Sequence, residues 1–281
     1  MYSFQGKLYS SLAAVPSEVI APFIGQTALT ETVRYQNESL LFWEEHYFRL
    51  MAAMRILRME IPLQFTMEYL QDAIIDLLNA TQEKERILDV EINVVRANIP
   101  HKSSPLAATR FSISSLPKKQ PFSHRQAQKP IDLYKDHYIT SGLYSSLESA
   151  HQQWRNMAWV YVHENQFCDG IILNQEKAIA ESLVGALFLI KENQVSTPAL
   201  SQGCRKSVYR SQLIAVIQQM DDLEITEEII SPFVLQKADE MFVLNGVSGL
   251  ISIPKYRKKE FASSQTQRIA AAFSEKITTR L

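Results

Sequence analysis

The chain has 281 residues, room for one large domain or two modest ones, and its 46% hydrophobic and 21% charged residues exclude a disordered or collagen-like polymer. With 29 Lys and Arg against 30 Asp and Glu, the formal charge of -1 excludes a global field that would draw the protein onto nucleic acid or an anionic membrane. Two cysteines are too few for a disulfide framework, and eight glycines, none in a Rossmann or Walker pattern, leave no glycine-rich phosphate loop.

The N-terminus, Met1 to Lys7, lacks a basic start, an apolar core and a small-residue cleavage site, so the expected location is the cytoplasm. The longest apolar stretch, Leu183 to Ile190, falls far short of the ~20 residues that span a bilayer, and no membrane segment is expected. Thr30 to Leu41 reads as a hairpin turning at Gln36-Asn37-Glu38. From Glu44 to Glu60, Tyr47, Leu50, Met51, Met54 and Leu57 recur at three and four, which predicts an amphipathic helix stopped before Pro62. Thr66, with Glu68 in the first turn, opens a second helix through Leu78. Arg86 to Arg96 and Phe111 to Leu116 are strand-like.

Between Leu116 and Pro130 the chain is polar, proline-punctuated and aperiodic. The expected organisation is therefore a small N-terminal α+β domain (1–120), a connection (121–130) and a larger C-terminal α+β domain (131–281). In the second domain, Ala158 to Val162, Gly170 to Leu173 and Ala186 to Ile190 read as short buried strands. Ser207 to Met220 and Gln265 to Ile277 carry helical periodicity, and Asp239 to Val247 reads as a strand entering a turn at Asn245-Gly246.

Four ordered segments carry a resemblance. They are Glu31-Thr32-Val33-Arg34 with His46 to Leu50; Asp169 to Asn174 leading to Ile179-Ala180-Glu181-Ser182 and Leu187-Phe188; Thr197-Pro198 with Gly203 and Val208-Tyr209-Arg210; and Ala238-Asp239-Glu240-Met241-Phe242 with Asn245-Gly246 and Gly249. In order and spacing, over roughly residues 25 to 255, they resemble the fold-type IV pyridoxal-phosphate enzymes: the branched-chain and D-amino-acid aminotransferases and 4-amino-4-deoxychorismate lyase. The resemblance implies a two-domain α+β architecture of the D-amino-acid aminotransferase kind, assembled as a homodimer. It implies that Arg49 binds the cofactor phosphate through its guanidinium fork. It also implies that Glu181 faces the pyridine nitrogen and keeps it protonated. By the same resemblance, backbone N–H groups of Val208 and Tyr209 cradle the phosphate at a helix N-terminus, and Gly246 and Val247 close the phosphate cup. A buried carboxylate at Glu181 needs a partner in any case. A ring nitrogen or a nearby arginine meets that need equally well.

The sequence departs from the family where the chemistry lies. The Schiff-base lysine is expected 32–34 residues before the ring-nitrogen glutamate, and Glu148 stands 33 before Glu181. Without a primary amine there, the covalent link to the cofactor is lost, and affinity for pyridoxal phosphate is expected to be weakened or absent. Ala186, Ser207 and Leu244 replace the family's asparagine, glycine and threonine. Three readings stay open: a catalytically inactive or atypical member that keeps the fold as a binding or partner subunit; a working enzyme in which Lys135 or Lys206 reaches the aldehyde, or in which aminated cofactor reacts without a lysine; or an unrelated α+β protein. The ligand expected of the first two is a small amino-acid-like or anionic molecule.

Other constellations are set aside. Glu148 and His151 have a metal-ligand spacing but no second set, the six histidines lack zinc spacing, and no metal is expected. The basic runs Lys255 to Lys259 and Arg205-Lys206 are read as a solvated loop and part of the phosphate loop, without nucleic acid.

Overall fold

A computed structural model gives the fold and describes residues 1–23, 29–82, 87–96, 108–118, 122–148 and 153–279. It divides the chain into two compact units: Met1–Pro121 with Glu148–His151, and Phe122–Leu147 with Gln152–Arg280.

The first unit contains, in order, β1 (Tyr2–Phe4), β2 (Lys7–Tyr9), α1 (Ser17–Ile20), β3 (Leu29–Gln36), β4 (Ser39–Leu40), α2 (Trp43–Ile56), α3 (Met67–Thr81), β5 (Leu88–Arg96) and β6 (Thr109–Pro117). One sheet in the order β2-β1-β6-β5-β3-β4 is antiparallel throughout. The predicted hairpin is β3 and β4, and its turn holds Asn37 and Glu38 at positive φ. The predicted first helix is α2, which stops at Ile56 because Arg58 turns left-handed ahead of Pro62. The second is α3: Thr66 caps it by accepting from the Tyr69 N–H at 3.1 Å, and Leu70, Ala73, Ile74, Leu77 and Leu78 form its buried stripe. The predicted strand start at Arg86 lies outside the described residues.

The second unit contains β7 (Ser123–Gln126), β8 (Ile131–Ile139), α4 (Gln153–Glu164), β9 (Asp169–Asn174), β10 (Ile179–Ser182), β11 (Ala186–Lys191), β12 (Gln194–Pro198), α5 (Val208–Ile217), β13 (Glu224–Glu228), β14 (Glu240–Asn245), β15 (Gly249–Ser252), β16 (Lys255–Tyr256), β17 (Lys259–Glu260) and α6 (Ser264–Thr279). A five-stranded sheet runs β10-β9-β8-β16-β17 and a six-stranded sheet runs β13-β12-β11-β14-β15-β7. Alternation along the strands builds two cores. Leu133, Ile171 and Ile179 join Leu187, Leu189, Met241 and Val243 between the sheets. Tyr134, Ile172 and Ala180 point the other way, onto Ala158 and Val162 of α4.

Two expectations change. Ala158 to Val162 is not a strand but the middle of α4, where only Ala158 and Val162, one turn apart, are buried. The stretch 121–130 contains strand β7, hydrogen-bonded in parallel to β15, with Ser123 opposite Gly249.

Candidate functional site

The family-like opening of the first unit builds a buried ion network. Glu31 lies on β3 and is 3% exposed; His46 and Arg49, three apart on α2, reach it from one helix face. Arg49 gives its Nε to both carboxylate oxygens at 3.0 Å and its Nη2 to Oε1 at 2.7 Å, while His46 Nδ1 bonds to the same Oε1. Arg34, fully buried, bonds Asp89 Oδ1 at 2.7 Å, and Lys118 reaches Asp89 Oδ2 at 3.0 Å, tying β3 to β5. The half-buried Glu148 enters this unit through its backbone: its carbonyl accepts the Thr30 N–H at 3.3 Å, one residue from Glu31. His151, which shares a metal-ligand spacing with Glu148 in the sequence, lies outside the described residues, and among the described residues no group of three metal-ligating side chains forms.

In the second unit, Glu181 is buried on β10 with both oxygens engaged by arginines. Arg155, in the first turn of α4, donates Nη2 to Oε1. Arg205, in the loop before α5, donates its backbone N–H at 3.1 Å and its Nε at 3.0 Å to Oε2. Both guanidiniums also reach the Leu183 carbonyl, at 3.3 and 3.4 Å. The Arg155 guanidinium lies 4.6 Å over the Trp154 ring. That indole stacks in turn on His137 with centroids 4.6 Å apart, and burial, then the Arg155 charge, lower the His137 pKa. The buried Glu181 carboxylate thus has arginine partners on both oxygens.

The loops expected to hold a phosphate lie in the same unit. Ser207 caps α5 by accepting the Arg210 N–H at 3.4 Å, so Val208 and Tyr209 occupy the first helical positions, whose N–H groups have no intrahelical acceptor. Asn245 Oδ1 accepts the N–H groups of Val247 and Ser248 at 2.8 and 2.7 Å, and Asn245 Nδ2 donates to the Val184 carbonyl at 2.7 Å. This fixes the Gly246-Val247 turn against the loop that follows Glu181. Gly246 is required by close approach: a Cβ there would be 2.8 Å from Cδ2 of the Tyr209 ring, which itself stacks on Phe122. The structure thus brings Tyr209 together with Gly246, and Glu181 together with Arg205 just before α5; Arg49 and Glu148 belong to the other unit.

Arg155 is missing from the residues that the sequence singles out, because reading 158–162 as a strand hides the helix that carries it. The spacing Trp154, Ala158, Val162 is the signal that could have found it. Burial pushes the Cys168 thiol up to about 12 and the Cys204 thiol up to about 11, which disfavours the thiolate form of both. No helix among the described residues is long and apolar enough to cross a membrane.

A probable branched-chain-amino-acid aminotransferase of Aquifex aeolicus is 23% identical over 289 aligned residues, covering 97% of this chain and 89% of that protein. The branched-chain amino acid aminotransferase of Thermobaculum terrenum in its PLP form superposes with a TM-score of 0.84 at 19% identity, covering 100% of this chain and 94% of the other. A putative 4-amino-4-deoxychorismate lyase of Legionella pneumophila gives 0.75 at 17% identity, covering 90% and 92%. The family model for amino-transferase class IV matches residues 28–256. With that match spanning most of the sequence and the fold agreeing, the chain belongs to the class IV aminotransferase family and has the two-part α+β architecture of the fold-type IV pyridoxal-phosphate enzymes.

Proposed function

We propose that this protein is an atypical class IV family member, of the aminotransferase or aminodeoxychorismate-lyase kind, that does not carry out conventional lysine-dependent transamination. The observation that carries the reading is that Glu148 stands 33 residues before Glu181, where the family resemblance leads one to expect the Schiff-base lysine. A carboxylate offers no primary amine to the cofactor aldehyde, and its charge repels an approaching phosphate. In this family pyridoxal phosphate supplies an electron sink when bound; here its binding is weakened or lost, and the protein acts as a binding or partner homodimer in the cytoplasm, with a small amino-acid-like or anionic ligand. The position of one stand-in lysine supports this, since Lys135 lies exposed on β8, 46 residues before Glu181.

One observation favours a second reading. The Lys206 N–H donates to the Ser146 carbonyl at 3.1 Å, two residues before Glu148, so of the two lysines Lys206 is the better placed. Borohydride reduction of the protein mixed with pyridoxal phosphate, followed by peptide mapping, separates the two. The expected result is no lysine modified stoichiometrically. A single saturating adduct at Lys206 would replace the first reading with the second.

A further inference from the structure

The carboxylate that would meet a pyridine nitrogen is already neutralised from within the chain. Glu181 is 2% exposed, and a carboxylate so buried is stable only with charged partners. It has two. Arg155 takes Oε1, Arg205 takes Oε2 through both backbone and side chain, and both cations also share the Leu183 carbonyl. Their side chains are 16% and 15% exposed, so the ion pairs lie in a low-dielectric setting where solvent screens them little. Arg155 is held further by the Trp154 ring beneath it and the His137 ring beyond.

We infer that the Arg155–Glu181–Arg205 clamp is a built-in replacement for the cofactor's ring-nitrogen contact: the Arg155 guanidinium, a planar N–H donor cation on an aromatic face, meets the carboxylate that a protonated pyridine would otherwise meet. A third cation at Glu181 is repelled by the two present, so the carboxylate does not hold a pyridine nitrogen in its protonated form. At this contact the residues do not fit pyridoxal phosphate. The clamp instead ties the first turn of α4 and the loop before α5 to β10. This replacement concerns the ring contact alone and stands apart from the reading of Glu148.

The test uses pyridoxamine 5′-phosphate, which has no aldehyde and needs no lysine, so its outcome is independent of any lysine adduct. In the ligand-free protein, Glu181→Gln is expected to lower Tm by roughly 5–10 °C, because it leaves two guanidiniums facing each other without a counter-charge. Arg155→Met with Glu181→Met is expected to recover at least half of that loss. In the unsubstituted protein, pyridoxamine 5′-phosphate labelled with ¹⁵N in the ring is expected either not to bind in a calorimetric titration or to bind with its ring nitrogen unprotonated. The inference is overturned if the ¹⁵N shift of the bound ring reports a protonated nitrogen, or if Glu181→Gln leaves the ligand-free Tm unchanged. Should Glu181→Gln not fold, the ¹⁵N measurement on the unsubstituted protein decides alone.

Discussion

Asp169 opens β9 with its carboxyl fully enclosed, Oδ1 accepting the N–H groups of Gly170 at 2.7 Å and Val184 at 3.2 Å. Burial outweighs these bonds and raises its pKa to about 7. The sign of the consequence follows from proton binding. Between about pH 4 and 7 the folded state keeps a proton that the unfolded chain has released, so stability falls as pH rises through this window. By pH 8 the penalty is on the order of 4 kcal/mol, because each tenfold difference in proton affinity between the folded and unfolded chain is worth about 1.4 kcal/mol. Asp169→Asn keeps an oxygen for both N–H groups and removes the charge. Denaturant melts at a series of pH values are expected to show the Asn variant gaining on the parent protein from pH 4 to 8. Parallel profiles would mean that Asp169 ionises at no cost to the fold.

At the scale of elements, the N-terminus of α6 is held by a carboxylate from another element. Glu240, the first residue of β14 and 3% exposed, accepts from Ser264 Oγ at 3.0 Å, from the N–H groups of Gln265 and Thr266 at 2.8 Å, and from Thr266 Oγ1 at 2.8 Å. A negative charge at a helix N-terminus is favoured by the dipole as well as by these bonds. Glu240→Ala is expected to cost roughly 3 kcal/mol by urea unfolding, and Glu240→Gln about half as much, since one acceptor oxygen survives. A loss under about 0.5 kcal/mol for the alanine variant would show that α6 is held by packing alone. The same helix is legible in the sequence because Thr266, Ile269, Ala270, Phe273 and Ile277 repeat at three and four. The residues of α4 defeat the same reasoning. Ala158-Trp159-Val160-Tyr161-Val162 are five apolar residues in a row, rich in β-branched and aromatic side chains, as in a buried strand, yet Trp159 and Val160 are 41% and 48% exposed. Strand β7 escapes for the opposite reason: Ser123 to Gln126 have no apolar pattern, and only backbone pairing to β15 makes them a strand.

Over the whole molecule, ordered motifs far apart in the chain reveal the family and the fold, while the partners of Glu181 stay hidden because they lie 26 residues before it and 24 after it, joined only by folding. Assembly is the remaining property at this scale. The family resemblance implies a homodimer, so light scattering is expected to return about twice the 32.1 kDa chain mass. If subunit contact contributes to the folded state, mass action makes Tm rise with protein concentration, because dissociation precedes or accompanies unfolding. A hundredfold dilution is then expected to lower Tm measurably in the same buffer, with no added pyridoxal phosphate, and the effect to persist when the cofactor is present. A monomeric mass together with a Tm independent of concentration would rule out the homodimer while leaving the Glu181 clamp, an arrangement within one chain, untouched.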